Sequence, residues 1–503
     1  MTRRNIVKTK QLILLKCYGK LAAFGLCLSV LLALAGGSVA IAMEIEDQDI
    51  TNYIESRYWQ DQSVVSHAID VVTTDGIVTL TGSIDNILAK ERAQAIAEAT
   101  VGVRAVVNLL EVLPPVLLAD TEIQENINIA LFNNAATDAD KVEVTVTDGS
   151  VTLTGTVNSW REKNLYETVT KGVRGVTAVN NQVEIDYQET RSDDEIAAMV
   201  QARLTNDVRV DDALIDVTVN DAIVVLSGNV GSVQEKNQAI ANSWVSGVES
   251  VNADDLGIQW WIRDEMRRHE MYTVRADSDI QEAVEDALFY DPRVLPFDIQ
   301  VDVSSGTVTL SGIVNNLEAR QAAEADAKNT IGVNRVNNNI KVRPTVIPSS
   351  EDLENRVATV FLNDPYIDRF RLDVSTYGGT VYLSGDVNTS WEKHRATRLA
   401  EGVPGVVSVV NNIDFKHLWI WKPDWEILED VKNEIFWSPF VDADKVTVTV
   451  DNGIVTLTGT VSTYSERQSA EDNAYQGGAK DVRNRLEIEH GYYGPIYPGI
   501  YGP

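Results

Sequence analysis

Catalysis needs a converging set of nucleophiles, acids or ligands, and the reactive residues of this chain do not converge in sequence. The five histidines, His67, His269, His394, His417 and His490, share no recurring position and form no His-x-x-x-His pair that would put two imidazoles on one helix face. The two cysteines, Cys17 and Cys27, both fall within the first 42 residues, so the rest of the chain has no thiol for a disulfide, a nucleophile or a metal site. There is no phosphate loop and no nucleophile elbow. Carboxylates are plentiful, 74 against 43 lysines and arginines, yet acids such as Asp291 and Asp364 read as solvated surface rather than as ligands. The expectation is no enzyme, no cofactor and no bound metal. The formal charge is −31, or −37 once the leader bases Arg3, Arg4, Lys8, Lys10, Lys16 and Lys20 are set aside. So acidic a chain argues against nucleic acid as a partner and against broad adhesion to anionic lipid.

What remains is the chemistry of contact, and two groups of residues could supply it. Tryptophans cluster with bases in Gln259–Met271, which holds Trp260, Trp261, Arg263, Arg267 and Arg268, and in Phe415–Trp425, which holds Trp419, Trp421 and Lys422. Tryptophan beside arginine or lysine suits a membrane interface or a partner surface; packing between neighbouring domains is the plainer alternative. A base also recurs at Lys90, Lys163, Lys236, Arg320, Lys393 and Arg467. It reads either as a row for anionic headgroups or as helix charges paired with neighbouring acids. The tail 490–503, rich in tyrosine, glycine and proline, has no regular pattern.

These residues are placed by a repeat. Six copies of one pattern run along the chain: Gly76–Gly82, Gly149–Gly155, Ala222–Gly228, Gly306–Gly312, Gly379–Gly385 and Gly453–Gly459. Successive closing glycines lie 73, 73, 84, 73 and 74 residues apart, and each recurring base follows its closing glycine by eight. One small unit has therefore been duplicated. Each unit opens on an apolar stripe of period four, such as Ile50/Ile54/Tyr58 or Leu353/Val357/Phe361, which predicts a helix with one buried face. Acids crowd its first turn, where they are expected to satisfy free amides and the helix dipole. Alternating residues, a Asp-Gly or Asn-Gly turn and the motif strand predict a hairpin. An alanine-rich second helix follows, then a glycine expected to stop it in the left-handed region: Gly102, Gly175, Gly247, Gly332, Gly405 and Gly478. A last strand with asparagine closes the αββαβ order.

Helix, Gly-x-Val-x-Leu-x-Gly hairpin, alanine-rich helix and Gly-Val-x-x-Val-x-Asn ending together resemble the BON domain. Unit three departs most, with Ala222 in the turn and an irregular ending at Val251–Leu256. The expected fold is α+β: six tandem αββαβ modules, each a three-stranded sheet with two helices on one face, arranged as a string or repeat array. The modules are placed at 47–113, 120–186, 193–258, 277–342, 350–414 and 426–489, with linkers at 259–276 and 415–425. Short linkers at Pro114–Pro115, Tyr187–Ser192 and Arg343–Ser349 suggest a semi-extended string. Residues 1–42, with a basic start, an apolar run and Ala40-Ile-Ala42, read as an export signal, or as an inner-membrane anchor if uncleaved. The resemblance implies a non-catalytic periplasmic or envelope protein, associated with osmotic or envelope stress. Its expected partners are phospholipid, an envelope surface or exported client proteins. A periplasmic chaperone and a membrane-anchored spacer are the alternatives, and the oligomeric state is not legible.

Overall fold

A computed structural model describes residues 45–489 except 62, 65–67, 188–189, 260–274, 295–296, 368–371, 389 and 416–421. Among the described residues the chain forms twelve α-helices and six small mixed sheets, one αββαβ module after another. In module one the helix Asp47–Gln60 leads to the hairpin Ile69–Thr74 and Ile77–Ile84, then to the helix Ile87–Glu98 and the return strand Ala105–Asn108. The motif strand is central: it pairs antiparallel with the strand before it (Val71 opposite Leu80) and parallel with the return strand (Val78 opposite Val106). Val78 and Leu80 are fully buried while Ile77, Thr79 and Thr81 face outward, so both helices cover one face of the sheet. The period-four stripe does what its spacing requires. All eighteen stripe residues, from Ile50 to Ile435, are at most 6% exposed.

The return strand differs from a plain third strand. In modules one to four it breaks into two short pieces that both pair with the motif strand, whereas Ser408–Phe415 and Asp481–Ile488 run unbroken. The same asparagine recurs in five modules. Asn108, Asn181, Asn338, Asn411 and Asn484 each donate to a carbonyl of the second helix and accept from the amide two residues on. Each turns the chain locally and clips it to the helix.

The modules do not form a semi-extended string. They close on one another chiefly by two sets of contacts, each at equivalent repeat positions, and Tyr366 of module five also donates to the Ser63 carbonyl of module one at 3.3 Å. The first set joins second helices head to tail. Within modules one to three, Glu91 meets Lys171 at 2.8 Å, Trp160 stacks on Trp244 at 5.4 Å, and Asn237 donates to Glu98 at 3.4 Å. Within modules four to six, Gln321 donates to Glu401 at 2.7 Å, His394 meets Tyr475 edge-on, and Lys328 lies over Tyr464. Every one of these contacts joins a residue five or nine places after one closing glycine to the residue sixteen places after another. The order is one to two to three and back to one, and four to five to six and back to four.

The second set pairs module one with six, two with five and three with four. Asn329 and Gly402 carbonyls accept from the amides of Val208 and Ala135 at 3.0 and 3.1 Å. Asn206, Asn363 and Trp437 carbonyls accept from Ile331, Arg174 and Val101 at 2.9, 2.7 and 3.1 Å. The donors and acceptors again hold matching repeat positions, so each pair is a local pseudo-two-fold. Two head-to-tail rings of three, joined by three two-fold pairs, have the symmetry of a dimer of trimers, here built from a single chain.

Candidate contact surface and inter-module core

Three backbone devices hold each module in shape. The closing glycines carry φ between +112° and +148°, and at Gly82, Gly155, Gly228 and Gly459 a Cβ would stand about 2 Å from the carbonyl oxygen that precedes the hairpin. Gly385 shares the conformation, with φ +121°. No other residue fits there. The hairpin turns have two successive left-handed residues, as in Asp75–Gly76, and module three must do this with Asp221–Ala222. All but one of the second glycines stand further along than a helix stop, Gly478 alone following its cap directly in the left-handed region as expected. Gly102, Gly175, Gly247 and Gly332 lie three residues past the helix cap, Gly478 one past it, and Gly405 four past Glu401. Gly102, Gly175 and Gly332 let the chain pass within van der Waals contact of the first stripe isoleucine.

Of the first-turn acids, Glu195 caps its own helix as expected, accepting from the Ser192 amide at 2.9 Å, but five others act differently. The carboxylates of Asp47, Asp120, Asp193, Asp277 and Asp424 leave their own helix and accept from both amides of the hairpin turn, 2.7 to 3.0 Å away. Module five has Ser350 at this position, whose carbonyl accepts from Thr376. Three of the recurring bases, Lys90, Lys236 and Arg467, are half-buried and donate to the return-strand carbonyls of Leu110, Leu256 and Asn484, while Asp254 acts on Lys236 and Arg320 acts on Glu324. Sequence reading missed both devices because each joins residues far apart in the chain.

Buried charge gathers where modules meet. An Asp, Asn or Ser ending each first helix accepts from the amide two residues on: Asp61, Asn134, Asp207, Asp291, Asp364 and Ser438. Four of these are aspartates, and each binds an arginine: Arg92, Arg209, Arg293 and Arg395 at 2.8 to 2.9 Å. Burial opposes ionisation of Asp291, but Arg293 holds its carboxyl below the ordinary range. Asp326, nearby on the second helix of module four, has an oxygen without a hydrogen-bond partner. Burial, with Asp291 adding, pushes it up to about 7 against the pull of Arg161, Arg293 and Arg209. Glu401, at the contact of modules four and five, is likewise pushed up to about 7, by burial first and by Glu318. Between modules one and six, Arg57 meets Glu434 at 3.1 Å with both side chains almost fully buried. Burial pushes Glu434 up, and Arg57 and a hydrogen bond from Tyr53 draw it only partway back.

The sequence-proposed contact residues Trp260, Trp261, Arg263, Arg267, Arg268, Trp419 and Trp421 lie outside the described residues. Lys422 is half-buried and paired with Asp430, so it is no free cation. Trp425, assigned from sequence to a linker, lies in the helix Asp424–Trp437 and is exposed. His394 is the one histidine within the described residues. No group of His, Cys, Asp or Glu among the described residues is arranged to hold a metal, and no helix among them is long and apolar enough to cross a membrane.

A different surface emerges from the fold. The residue 23 places before the closing glycine lies near the end of each first helix, on neither the core nor the pairing side. It is Trp59, Phe132, Phe289, Leu362 and Phe436 in five modules, between 45% and 68% exposed, and Thr205 in module three. Single exposed apolar residues are ordinary, but the same position exposing one in five of six copies is a pattern. Laying the six repeats over one another would have revealed it.

Comparison with known proteins gives the same unit. The BON domain profile matches residues 46–114, 119–187, 192–258, 276–344, 349–417 and 423–490. Osmotically-inducible protein Y of Escherichia coli (strain K12) is 32% identical over 146 residues, covering 28% of this chain and 73% of its own length. Outer membrane lipoprotein DolP of Haemophilus influenzae is 36% identical over 138 residues, covering 26% and 70%. Among solved structures, the C-terminal domain of CdsD, a structural protein of the type III secretion system of Chlamydia trachomatis, aligns over 43% of this chain and all of its own, at 15% identity and a TM-score of 0.12.

Proposed function

The chain belongs to the BON domain family, and from that premise we propose that it is a non-catalytic protein of the bacterial envelope that works by contact at several points. The observation that carries this reading is the recurrent exposed apolar residue, Trp59, Phe132, Phe289, Leu362 and Phe436, on an otherwise strongly acidic protein. Charge of this sign repels anionic surfaces, so attachment relies on apolar side chains. Repeating one modest contact around a closed body raises avidity without any single strong site. The relatives named for osmotic induction and for the outer membrane support an envelope setting, as do the basic and apolar residues 1–42 read as an export signal. The partner is an envelope surface, phospholipid included, or an exported protein.

The test replaces all five residues by serine in the full chain. Co-sedimentation with vesicles of neutral and anionic lipid, and suppression of aggregation of an unfolded exported protein, are then compared with the parent. The proposal expects at least one of the two activities in the parent, and its loss in the variant at an unchanged melting temperature. Equal activity in both proteins, or none in either, removes it. N-terminal sequencing of the exported protein decides whether the leader is kept as an anchor.

A further inference from the structure

Two rings with pseudo-threefold symmetry can dock face to face in three ways that differ by a third of a turn. The observed register pairs modules one with six, two with five and three with four. Turning one ring would instead pair one with five, two with four and three with six, or one with four, two with six and three with five. One main-chain bond, Val101 to Trp437, Arg174 to Asn363 and Ile331 to Asn206, joins the same repeat positions in all three pairs and cannot tell these registers apart. Nor can the connection between the rings, because the fifteen residues 260–274 could span up to ~50 Å.

One repeat position does differ from pair to pair. Twenty-five residues before each closing glycine, on the side of the first helix turned to the partner module, stand Arg57, Ala130, Arg203, Ala287, Val360 and Glu434. In the observed register Arg57 meets Glu434 directly, and Arg57 also donates to Gln476 of module six at 2.7 Å. Module two's Ala130 and module five's Val360 stand on helices that pack together, with no charge on either. Arg203 faces module four, where Asp286 precedes Ala287 and takes its charge at 3.4 Å while Tyr290 lies under the guanidinium. Arg57, Arg203 and Glu434 are all buried. Both alternative registers strand a buried charge. The first sets Arg57 against Val360. The second sets Glu434 against Ala130 and Arg203 against Val360.

We propose that this position is a register code: its buried charges select which of the three dockings the two three-module rings adopt, and so make the six modules close in one order. A buried ion pair contributes little net stability against an apolar pair of like size, but a buried charge left alone is strongly penalised, and that asymmetry is what a selector needs. The code makes the interface between rings specific although the backbone contacts that form it are degenerate.

The test reads the register with a disulfide. Asp207 and Thr330 are bridge partners between modules three and four, and Ser438 and Thr100 hold the matching positions between six and one. In the full chain with Cys17 and Cys27 changed to serine, Thr100→Cys and Ser438→Cys should crosslink nearly completely after refolding. Arg57→Glu alone sets two acids against each other and should cut the crosslinked fraction severalfold. Adding Glu434→Arg should restore it. The triple variant Arg57→Leu, Glu434→Leu, Arg203→Leu removes the code. It should still fold, with the crosslinked fraction falling toward about one third, the share expected of three equal registers. A charge-swapped double no better than Arg57→Glu overturns the proposal. A folded triple variant that still crosslinks completely also overturns it, since the register is then fixed elsewhere. Should the triple variant not fold, loss in the single and recovery in the double decide the question.

Discussion

The hairpin end of each module and the partner-facing side of its first helix follow opposite rules. At the hairpin end the six copies are nearly the same: closing glycine, left-handed turn, and in five modules an aspartate clamping the turn amides. On the partner-facing side one position reads Arg, Ala, Arg, Ala, Val and Glu in turn. What is constant builds the module, because every copy must solve the same backbone problem. What varies builds the assembly, because six identical surfaces could not specify which module meets which.

Four substitutions break or sharpen that contrast. Gly228→Ala attacks the constant end, where the new methyl would meet the Leu214 carbonyl 2.0 Å away. It should cost about 4 kcal/mol in denaturant unfolding, with the loss falling first on module three. Arg57→Ala attacks the variable side and leaves Glu434 buried without its cation. The expected loss is about 3 kcal/mol, with module six released from module one in limited proteolysis while both keep their own sheets.

Asp326→Asn acts at the junction by pH. The folded carboxyl is pushed up to about 7 from an ordinary 3.8, so its contribution to stability is present below about pH 4 and is lost as the pH rises through 7. The asparagine variant should melt with the parent at pH 4 and a few degrees above it at pH 8. A thermal scan at the two values checks the sign. The smallest effect is expected at Ala222→Gly, which relieves an alanine held at φ +61° and should stabilise by about 1 kcal/mol. The same change made at a position of negative φ would do the reverse.

The module was legible in the sequence because its signals are local. Ile50, Ile54 and Tyr58 share a helix face by spacing alone, and Asp75–Gly76 marks a turn in two residues. The assembly was not legible, because it rests on contacts between distant copies, such as Trp160 on Trp244 or Arg57 on Glu434. Reading the repeats for their likeness averages away the residues that carry this information. Columns that alternate in charge on a helical face, or stay apolar without joining the stripe, are the signal to seek. The asparagine of the return strand was seen as a recurring letter, while its role as a clip to the second helix needed the fold.

Small-angle scattering on residues 45–503 tests the closed arrangement of six modules most directly. Two rings docked face to face predict a radius of gyration of about 23 Å, the value for a compact body of this length. A value of roughly 45 Å or more, as six modules strung end to end would give, would contradict it.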